Sequence, residues 1–243
     1  MTAYQFLRKN AELAELINST NYRLNQIINY ANGTENVNYG FCCHGKYHME
    51  YVSQVAGHVL TILGYDEHTV MLAKIAGLLH DIGNVLGRHD HARIGGEMSI
   101  YFLDKTELLF EDKRLIRHAI ADHGNGNNMN HPVGAAVLIG DKAVAIKQRD
   151  IEFRKDFFKR GLITEEQLNN PSTLDIDISH IEITVADNVM KFEYFADNMC
   201  KEAHEKWLRD INVLLLEKGA AFLGYKADFI MEIQQTTNKS LKI

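Results

Sequence analysis

The apolar helical segment from Ala73 to Leu79 runs directly into the dipeptide His80-Asp81, and no other feature constrains the fold as much. An imidazole and a carboxylate stand where the helical pattern predicts a buried surface. Burying such groups costs free energy unless a partner compensates them. A divalent cation pairs with both, because neutral imidazole and carboxylate are good metal ligands. The segment therefore predicts a core helix that ends at a metal site, the alternative being a core helix with a coincidentally polar end.

The composition of the 243 residues is that of a globular protein, with 46% apolar and 24% charged residues. The net charge of -6 disfavours nonspecific binding to nucleic acid or an anionic membrane, but it allows a small phosphorylated substrate. We expect no membrane span, because no apolar run approaches about 20 residues, and no signal peptide in Met1 to Asn10. Cys42, Cys43 and Cys200 form no C-x-x-C pair, so a reducing cytoplasm fits best.

The first two thirds of the chain show helical periodicity, punctuated by Asn and Gly clusters such as 124–128. We predict helices near 3–18, 21–31, 45–64, 68–82, 90–104, 111–123 and 131–149, followed by a short helix at Glu152–Arg160 and a loop around Asn169–Thr173. Gly83 is expected to end the helix that carries His80. The fold class is therefore mainly α, with a helical domain over residues 1–170.

The pattern changes to alternating apolar and polar residues after Leu174. A strand before the turn Ala186-Asp187-Asn188 and a second strand at Val189–Phe195 predict a hairpin. A helix at Asp197–Lys218 and a strand at Tyr225–Ile233 complete a small α+β appendage over residues 175–243. This appendage could pack on the core, cap the site or, through an unpaired strand edge, form a homodimer.

Two histidines continue the apolar stripe of the helix 45–64. His48 precedes the apolar residue Val52 by four positions, and His44 precedes His48 by four. A single histidine on an apolar face is more often a core histidine with a hydrogen-bond partner than a ligand. Here several helices repeat the pattern, which favours a shared site.

His91 and His123 lie on the apolar faces of the helices 90–104 and 111–123. His118 falls on the opposite side of its helix and is expected at the surface, like His89 in the preceding loop. For His123 the alternative is a helix C-cap that interacts with the helix dipole.

Asp141 interrupts the apolar run Val137-Leu138-Ile139-Gly140 in the last predicted helix of the core. A carboxylate at that position costs several kcal/mol unless it is compensated. His131 stands at the start of this helix, before Pro132, and is expected to be a first-turn residue rather than a ligand.

If these helices form a bundle, their side chains converge on two metal positions. One ion would take His48, His80, Asp81 and Asp141, and a second would take His91 and His123 with Asp81 bridging. Ions about 3.5–4 Å apart can activate a water and clamp a phosphoryl group. Mixed nitrogen and oxygen donors suit iron, manganese, zinc, cobalt or nickel, so the metal and its count stay open.

These residues resemble the HD-domain metal-dependent phosphohydrolase superfamily over about residues 44–149. The resemblance rests on Leu78-Leu79-His80-Asp81-Ile82-Gly83, with His48 upstream and Asp141-Lys142 downstream. It implies a helical bundle with His48, His80, Asp81 and Asp141 as metal ligands, and His91 and His123 as those of the two-metal branch. It also implies that His44 donates a proton to the leaving oxygen, as in related cyclic-nucleotide phosphodiesterases, unless His44 is a surface residue.

Two departures from the family pattern bear on substrate recognition. Asn84 stands where many two-metal members have a lysine, so a phosphate contact is missing or replaced. The Gly-Tyr-Pro motif of the cyclic-di-GMP branch is absent after His123, which disfavours that substrate. The remaining basic candidates near the site are Lys142, Arg88, Arg93 and Arg149.

The leading hypothesis is an enzyme that hydrolyses a phosphomonoester, phosphodiester or polyphosphate bond by a metal-activated water. We assign catalytic roles to His44, Asp81 and Lys142, and we expect a nucleotide as substrate by analogy with the family alone. The alternatives are a noncatalytic metal- or ligand-sensing module and a di-iron oxygenase of the same fold.

Overall fold

The structure, a computed structural model, describes residues 1–20, 44–143, 178–197 and 211–234, together with the isolated positions 155, 158, 159, 161 and 165. Helices form most of the first two of these ranges. They are α1 (Ala3–Lys9), α2 (residues 11–20), α3 (Lys46–Ile62), α4 (Glu67–Leu79), α5 (His91–Leu103), α6 (Phe110–Asp122) and α7 (Pro132–Lys142), with a 3-10 helix at Ile82–Leu86.

The single helix predicted over residues 3–18 is wrong, because two helices occupy that range. Asn10 leaves helical geometry at φ -70° and ψ 117°. Its side-chain oxygen accepts a hydrogen bond from the backbone N–H of Leu13 at 2.9 Å, which caps the start of α2. An Asn side chain that competes for backbone groups in this way favours a helix end over a helix interior.

Gly83 does not release the chain at the end of α4 as predicted. The α-helix ends at Leu79, and residues Ile82–Leu86 continue as a tighter 3-10 helix that includes Gly83. The glycine is needed for close packing instead: a Cβ there would lie 2.0 Å from the carbonyl oxygen of His91.

The helix predicted over 131–149 ends at Lys142, where Ala143 departs from helical geometry. The predicted helix 21–31, residues 144–149 of the last predicted helix and the loop Asn169–Thr173 lie outside the described residues, as does most of the predicted helix Glu152–Arg160.

Helix α3 lies at the centre of the bundle, where it packs against α4 and α7, while α5 packs against α6 and the 3-10 helix. The helical segment Glu67–Leu86 is long and apolar enough to cross a membrane. However, 72% of an 18-residue stretch within it is buried inside the fold, which is typical of a core helix. The fully buried core of the bundle includes Met49, Val52, Val59, Leu60, Ile75, Leu79, Ile116, Ile120, Val133 and Val137.

The appendage contains the predicted hairpin, a helix and a third strand. Strand β1 (Ile178–Ala186) pairs antiparallel with β2 (Val189–Asp197), and the turn residues Asp187 and Asn188 have φ values of 50° and 60°. Helix α8 (Ile211–Phe222) then crosses over to β3 (Lys226–Gln234), which pairs parallel with β2. The fold class predicted from the sequence, a helical bundle with a small α+β appendage, is thus confirmed.

The appendage packs on the bundle through α8 and α7. A Cβ at Gly219 would lie 2.7 Å from Cγ1 of Ile139, so the two helices touch closely. Lys218 donates hydrogen bonds to the carbonyl oxygen of Asn125 and to Oδ1 of Asn127, which ties α8 to the loop after α6. The boundary between the predicted regions 1–170 and 175–243 falls outside the described residues and stays a prediction.

Candidate metal centre

Close contacts between α3, α4 and α7 bring the first group of polar side chains together. A Cβ at Gly77 would lie 2.8 Å from Cα of Ser53, and one at Gly140 would lie 3.0 Å from the carbonyl oxygen of Val52. A side chain at Gly77 would require the helices to shift, and one at Gly140 would make a tight contact. The same contacts set His48, one turn before Val52, beside His80 at the end of α4 and Asp141 on α7.

These side chains form what we call the inner cluster: His48, His80, Asp141 and atom Oδ2 of Asp81. Nε2 of His48 lies 3.1 Å from Oδ1 of Asp141 and 3.4 Å from Oδ2 of Asp81. Nε2 of His80 lies 3.7 Å and 3.4 Å from the same two oxygens, and 3.1 Å from Nε2 of His48. Both imidazole side chains are fully buried.

A second group, the outer cluster, comprises His91, His123 and atom Oδ1 of Asp81. Nε2 of His91 lies 3.2 Å from Nε2 of His123 and 3.5 Å from Oδ1 of Asp81. Nε2 of His123 lies 3.7 Å from the same oxygen. Asp81 is therefore shared, because one carboxylate oxygen faces each cluster.

Three of the four histidines are oriented by backbone carbonyl groups. The Nδ1 atoms of His80, His91 and His123 lie 2.8, 2.9 and 2.7 Å from the carbonyl oxygens of Gly77, Arg88 and Ile120, respectively. A ring that donates through Nδ1 directs Nε2 at the cluster, as metal-binding histidines in proteins usually do.

One imidazole of each cluster has a shifted pKa, and the two shifts have opposite directions. Burial opposes charge on His80, but the carboxylates of Asp81 and Asp141 outweigh it and raise the pKa of His80 to about 9. Burial, together with the nearby charge of Arg88, outweighs the attraction of Asp81 and lowers the pKa of His91 to about 4. At neutral pH, His80 is an imidazolium and His91 is neutral.

Both carboxylates stay ionised despite their burial. Burial alone would raise the pKa of Asp81, but the imidazoles of His80 and His44 hold that pKa well below its usual range. Burial is likewise overcome at Asp141 by the ammonium group of Lys142 and by the imidazoles of His48 and His80.

The proposed catalytic residues His44 and Lys142 lie beside the inner cluster. Nδ1 of His44 lies 2.6 Å from Oδ2 of Asp81, and the residue is only 7% exposed, so the surface alternative for His44 is wrong. Nζ of Lys142 lies 2.6 Å from Oδ2 of Asp141.

His118, His89 and His131 lie where the sequence places them. His118 and His89 are exposed, and His131 caps the start of α7 by accepting a hydrogen bond from the N–H of Val133. His123 is the C-cap of α6 and faces the outer cluster as well, so the two readings of that residue are compatible.

The sequence did not reveal how Asn84 contributes to the site. Asn84 is fully buried, and its Nδ2 donates a hydrogen bond of 2.6 Å to Oδ1 of Asp81. Its Oδ1 accepts a hydrogen bond from Nη1 of Arg88 at 3.2 Å. The spacing of three and four residues between Asp81, Asn84 and Arg88 is the only sequence signal of this chain of contacts.

The donor atoms fit divalent cations. Ligand atoms about 2.1 Å from an ion lie roughly 3.0 Å apart at right angles and roughly 3.4 Å apart in a tetrahedron. The separations of 3.1–3.7 Å in the inner cluster and 3.2–3.7 Å in the outer cluster are close to these values. Imidazole nitrogen and carboxylate oxygen are donors suited to first-row transition metals.

The family comparison agrees with the geometry. The HD domain family matches residues 46–189, which is more than half of the chain and includes both clusters. The chain therefore belongs to the HD domain family, whose members are mostly metal-dependent phosphohydrolases and typically bind divalent metals. A search of curated proteins found no match to this chain.

Proposed function

We propose that this protein is a metal-dependent phosphohydrolase that cleaves a phosphate ester or anhydride bond in a small phosphorylated molecule. The shared carboxylate of Asp81 carries the proposal, because its two oxygens face two separate sets of imidazoles. In such sites, divalent cations acidify a water and neutralise the charge of the reacting phosphoryl group.

The chain's own residues would orient and balance this centre. Asp81 fixes the spacing of the two clusters. The backbone carbonyls of Gly77, Arg88 and Ile120 fix the orientation of the imidazole rings of His80, His91 and His123, respectively. Lys142 balances the charge of Asp141. His44 is held by its Nδ1 bond to Asp81, so Nε2 is the ring atom through which it would pass a proton to the leaving oxygen.

Nucleotides are the first substrate class to test, since they are the expectation from the family resemblance. The protein is loaded separately with manganese, iron, zinc, cobalt or nickel and its metal content is measured. It is then assayed against nucleoside mono-, di- and triphosphates, cyclic nucleotides and an artificial phosphodiester. We expect turnover in one substrate class and a loss of about a thousandfold or more in Asp81→Ala, which removes the ligand that both clusters share.

His118→Ala is the matched control, because His118 is an exposed histidine on α6, the helix that ends just before His123. This variant should keep full activity, and circular dichroism should show that Asp81→Ala remains folded. A metal-loaded protein that turns over no member of the panel would contradict the proposal and favour a sensing module. Oxygen consumption dependent on bound iron would instead favour the oxygenase alternative.

A further inference from the structure

The guanidinium group of Arg88 lies against the outer cluster. Its Nη1 atom is 3.2 Å from Nε2 of His91, 3.2 Å from Oδ1 of Asn84 and 3.7 Å from Oδ1 of Asp81. All three neighbours are acceptors, because the ring of His91 uses Nδ1 to donate to the carbonyl oxygen of Arg88 and so presents a lone pair at Nε2.

The backbone around Arg88 builds this arrangement into the fold. The loop between the 3-10 helix and α5 contains Gly87 at φ 130° and Asp90 at φ 59°, both in the region that favours glycine. Arg88 contributes its carbonyl oxygen to orient His91 and its side chain to contact the same ring.

A metal ion at the outer cluster would need the atom that Arg88 contacts. Nε2 of an imidazole has one lone pair in the ring plane, which either accepts a hydrogen bond or binds a cation. The observed Arg88–His91 contact and an ion bound at His91 therefore exclude each other.

The lysine beside the inner cluster does not compete in this way. Lys142 contacts Oδ2 of Asp141, whereas Oδ1 of Asp141 is the oxygen that faces His48 and His80. An ion could bind the inner donors with Lys142 in place, and it would displace the proton that His80 carries.

We propose that Arg88 is a built-in competitor for the second metal ion, so that the inner cluster fills first and the outer cluster fills only when the guanidinium group moves aside. The proposal rests on the proposed metal binding at the two clusters. Arg88 is 40% exposed along its side chain, so it has solvent into which it can move.

The test is a titration of the metal-free 243-residue chain with manganese, monitored by isothermal titration calorimetry and electron paramagnetic resonance. In the wild type we expect one tight ion and a second that binds much more weakly. Arg88→Met should tighten the second binding event by about tenfold or more, which is about 1.4 kcal/mol, and leave the first unchanged. Spin-coupled manganese pairs should appear at lower metal concentration in this variant.

Two further variants make the test specific. Arg93→Met removes a neighbouring cation that pairs with Asp90 instead, so it controls for charge alone and should leave both affinities unchanged. His123→Ala in the Arg88→Met background should remove the second ion, which locates it at the outer cluster.

The other outcomes would contradict either the role of Arg88 or the proposed function. Two equally tight ions in the wild type, or a second affinity that Arg88→Met does not raise, would overturn the role of Arg88. Failure of the first ion to bind in any variant would overturn the proposed function instead. Circular dichroism of Arg88→Met distinguishes either result from misfolding, and Arg88→Lys provides a second variant that keeps the charge.

Discussion

The inner and outer clusters use the same two donor types but balance them differently. In the inner cluster, fully buried imidazoles face two carboxylate oxygens, and the extra proton on His80 supplies the positive charge. In the outer cluster, His91 is neutral and partly exposed, and the guanidinium group of Arg88 supplies the positive charge. Depth and local charge therefore predict two metal positions of unequal affinity within one centre.

The largest expected effect comes from removing one histidine of each cluster. His48→Gln should abolish binding of the first ion and lower turnover by about a thousandfold or more, because it removes a buried donor that contacts both carboxylates. His123→Gln should leave one ion bound. The metal content of each variant after gel filtration measures how many ions stay bound. His89→Gln is the control, because His89 is an exposed histidine. One retained ion in His48→Gln would reverse the assigned order.

The second prediction concerns pH and is a consequence of the two imidazole pKa values. At pH 6–8 the proton on His80 competes with a metal ion, because the pKa of His80 is about 9. The inner affinity should therefore rise about tenfold per pH unit, or about a hundredfold from pH 6 to 8. His91 has a pKa of about 4 and carries no competing proton in that range, so it should add no such dependence to the outer affinity.

Calorimetry in buffers of different ionisation enthalpy measures the released protons directly. At pH 7 we expect about one proton from His80 on binding of the first ion, with none contributed by His91 on binding of the second. An inner affinity that does not change between pH 6 and 8 would contradict the assignment of the positive charge to His80.

The third prediction separates the two clusters through packing. A methyl group at Gly83 would lie 2.0 Å from the carbonyl oxygen of His91 and 2.6 Å from the N atom of Gly95, so Gly83→Ala must push α5 away from Asp81. We expect about 1–3 kcal/mol of lost stability and about tenfold weaker outer binding, with a smaller change at the inner cluster.

Gly124→Ala is the matched control, because a Cβ there meets nothing within 4 Å. Thermal unfolding and manganese titration of the two variants give the comparison. Equal losses at both clusters in Gly83→Ala would show that the 3-10 helix and α5 do not act on the outer cluster separately.

The clusters also show how far a sequence can be interpreted. Helical periodicity indicated the inward faces that carry His48, His91 and His123, because a side chain's face follows from its spacing to apolar neighbours. Periodicity could not indicate the contact between Arg88 and His91, which depends on a short loop with two residues at positive φ.

Two local details of the fold could not be predicted from the sequence for a similar reason. The break at Asn10 depends on whether its side chain caps a new helix or faces solvent, and helical spacing is the same in both cases. Gly83 looks like a helix stop in the sequence. Its role in close packing depends on the backbone of α5, and the residues next to Gly83 in the sequence do not indicate that contact.

The smallest expected effect concerns Lys142. Lys142 and Arg88 are both cations beside a cluster, but they should differ in their effect on metal affinity. Lys142 contacts the oxygen of Asp141 that points away from the imidazoles, so it blocks no donor atom. Lys142→Met should therefore change the affinity for the first ion by less than about threefold, in the direction of tighter binding, because only a screened repulsion is lost. Manganese titration of this variant beside Arg88→Met measures the contrast. A tenfold gain in Lys142→Met would mean that nearby positive charge alone, rather than occupation of a donor lone pair, controls metal binding at both clusters.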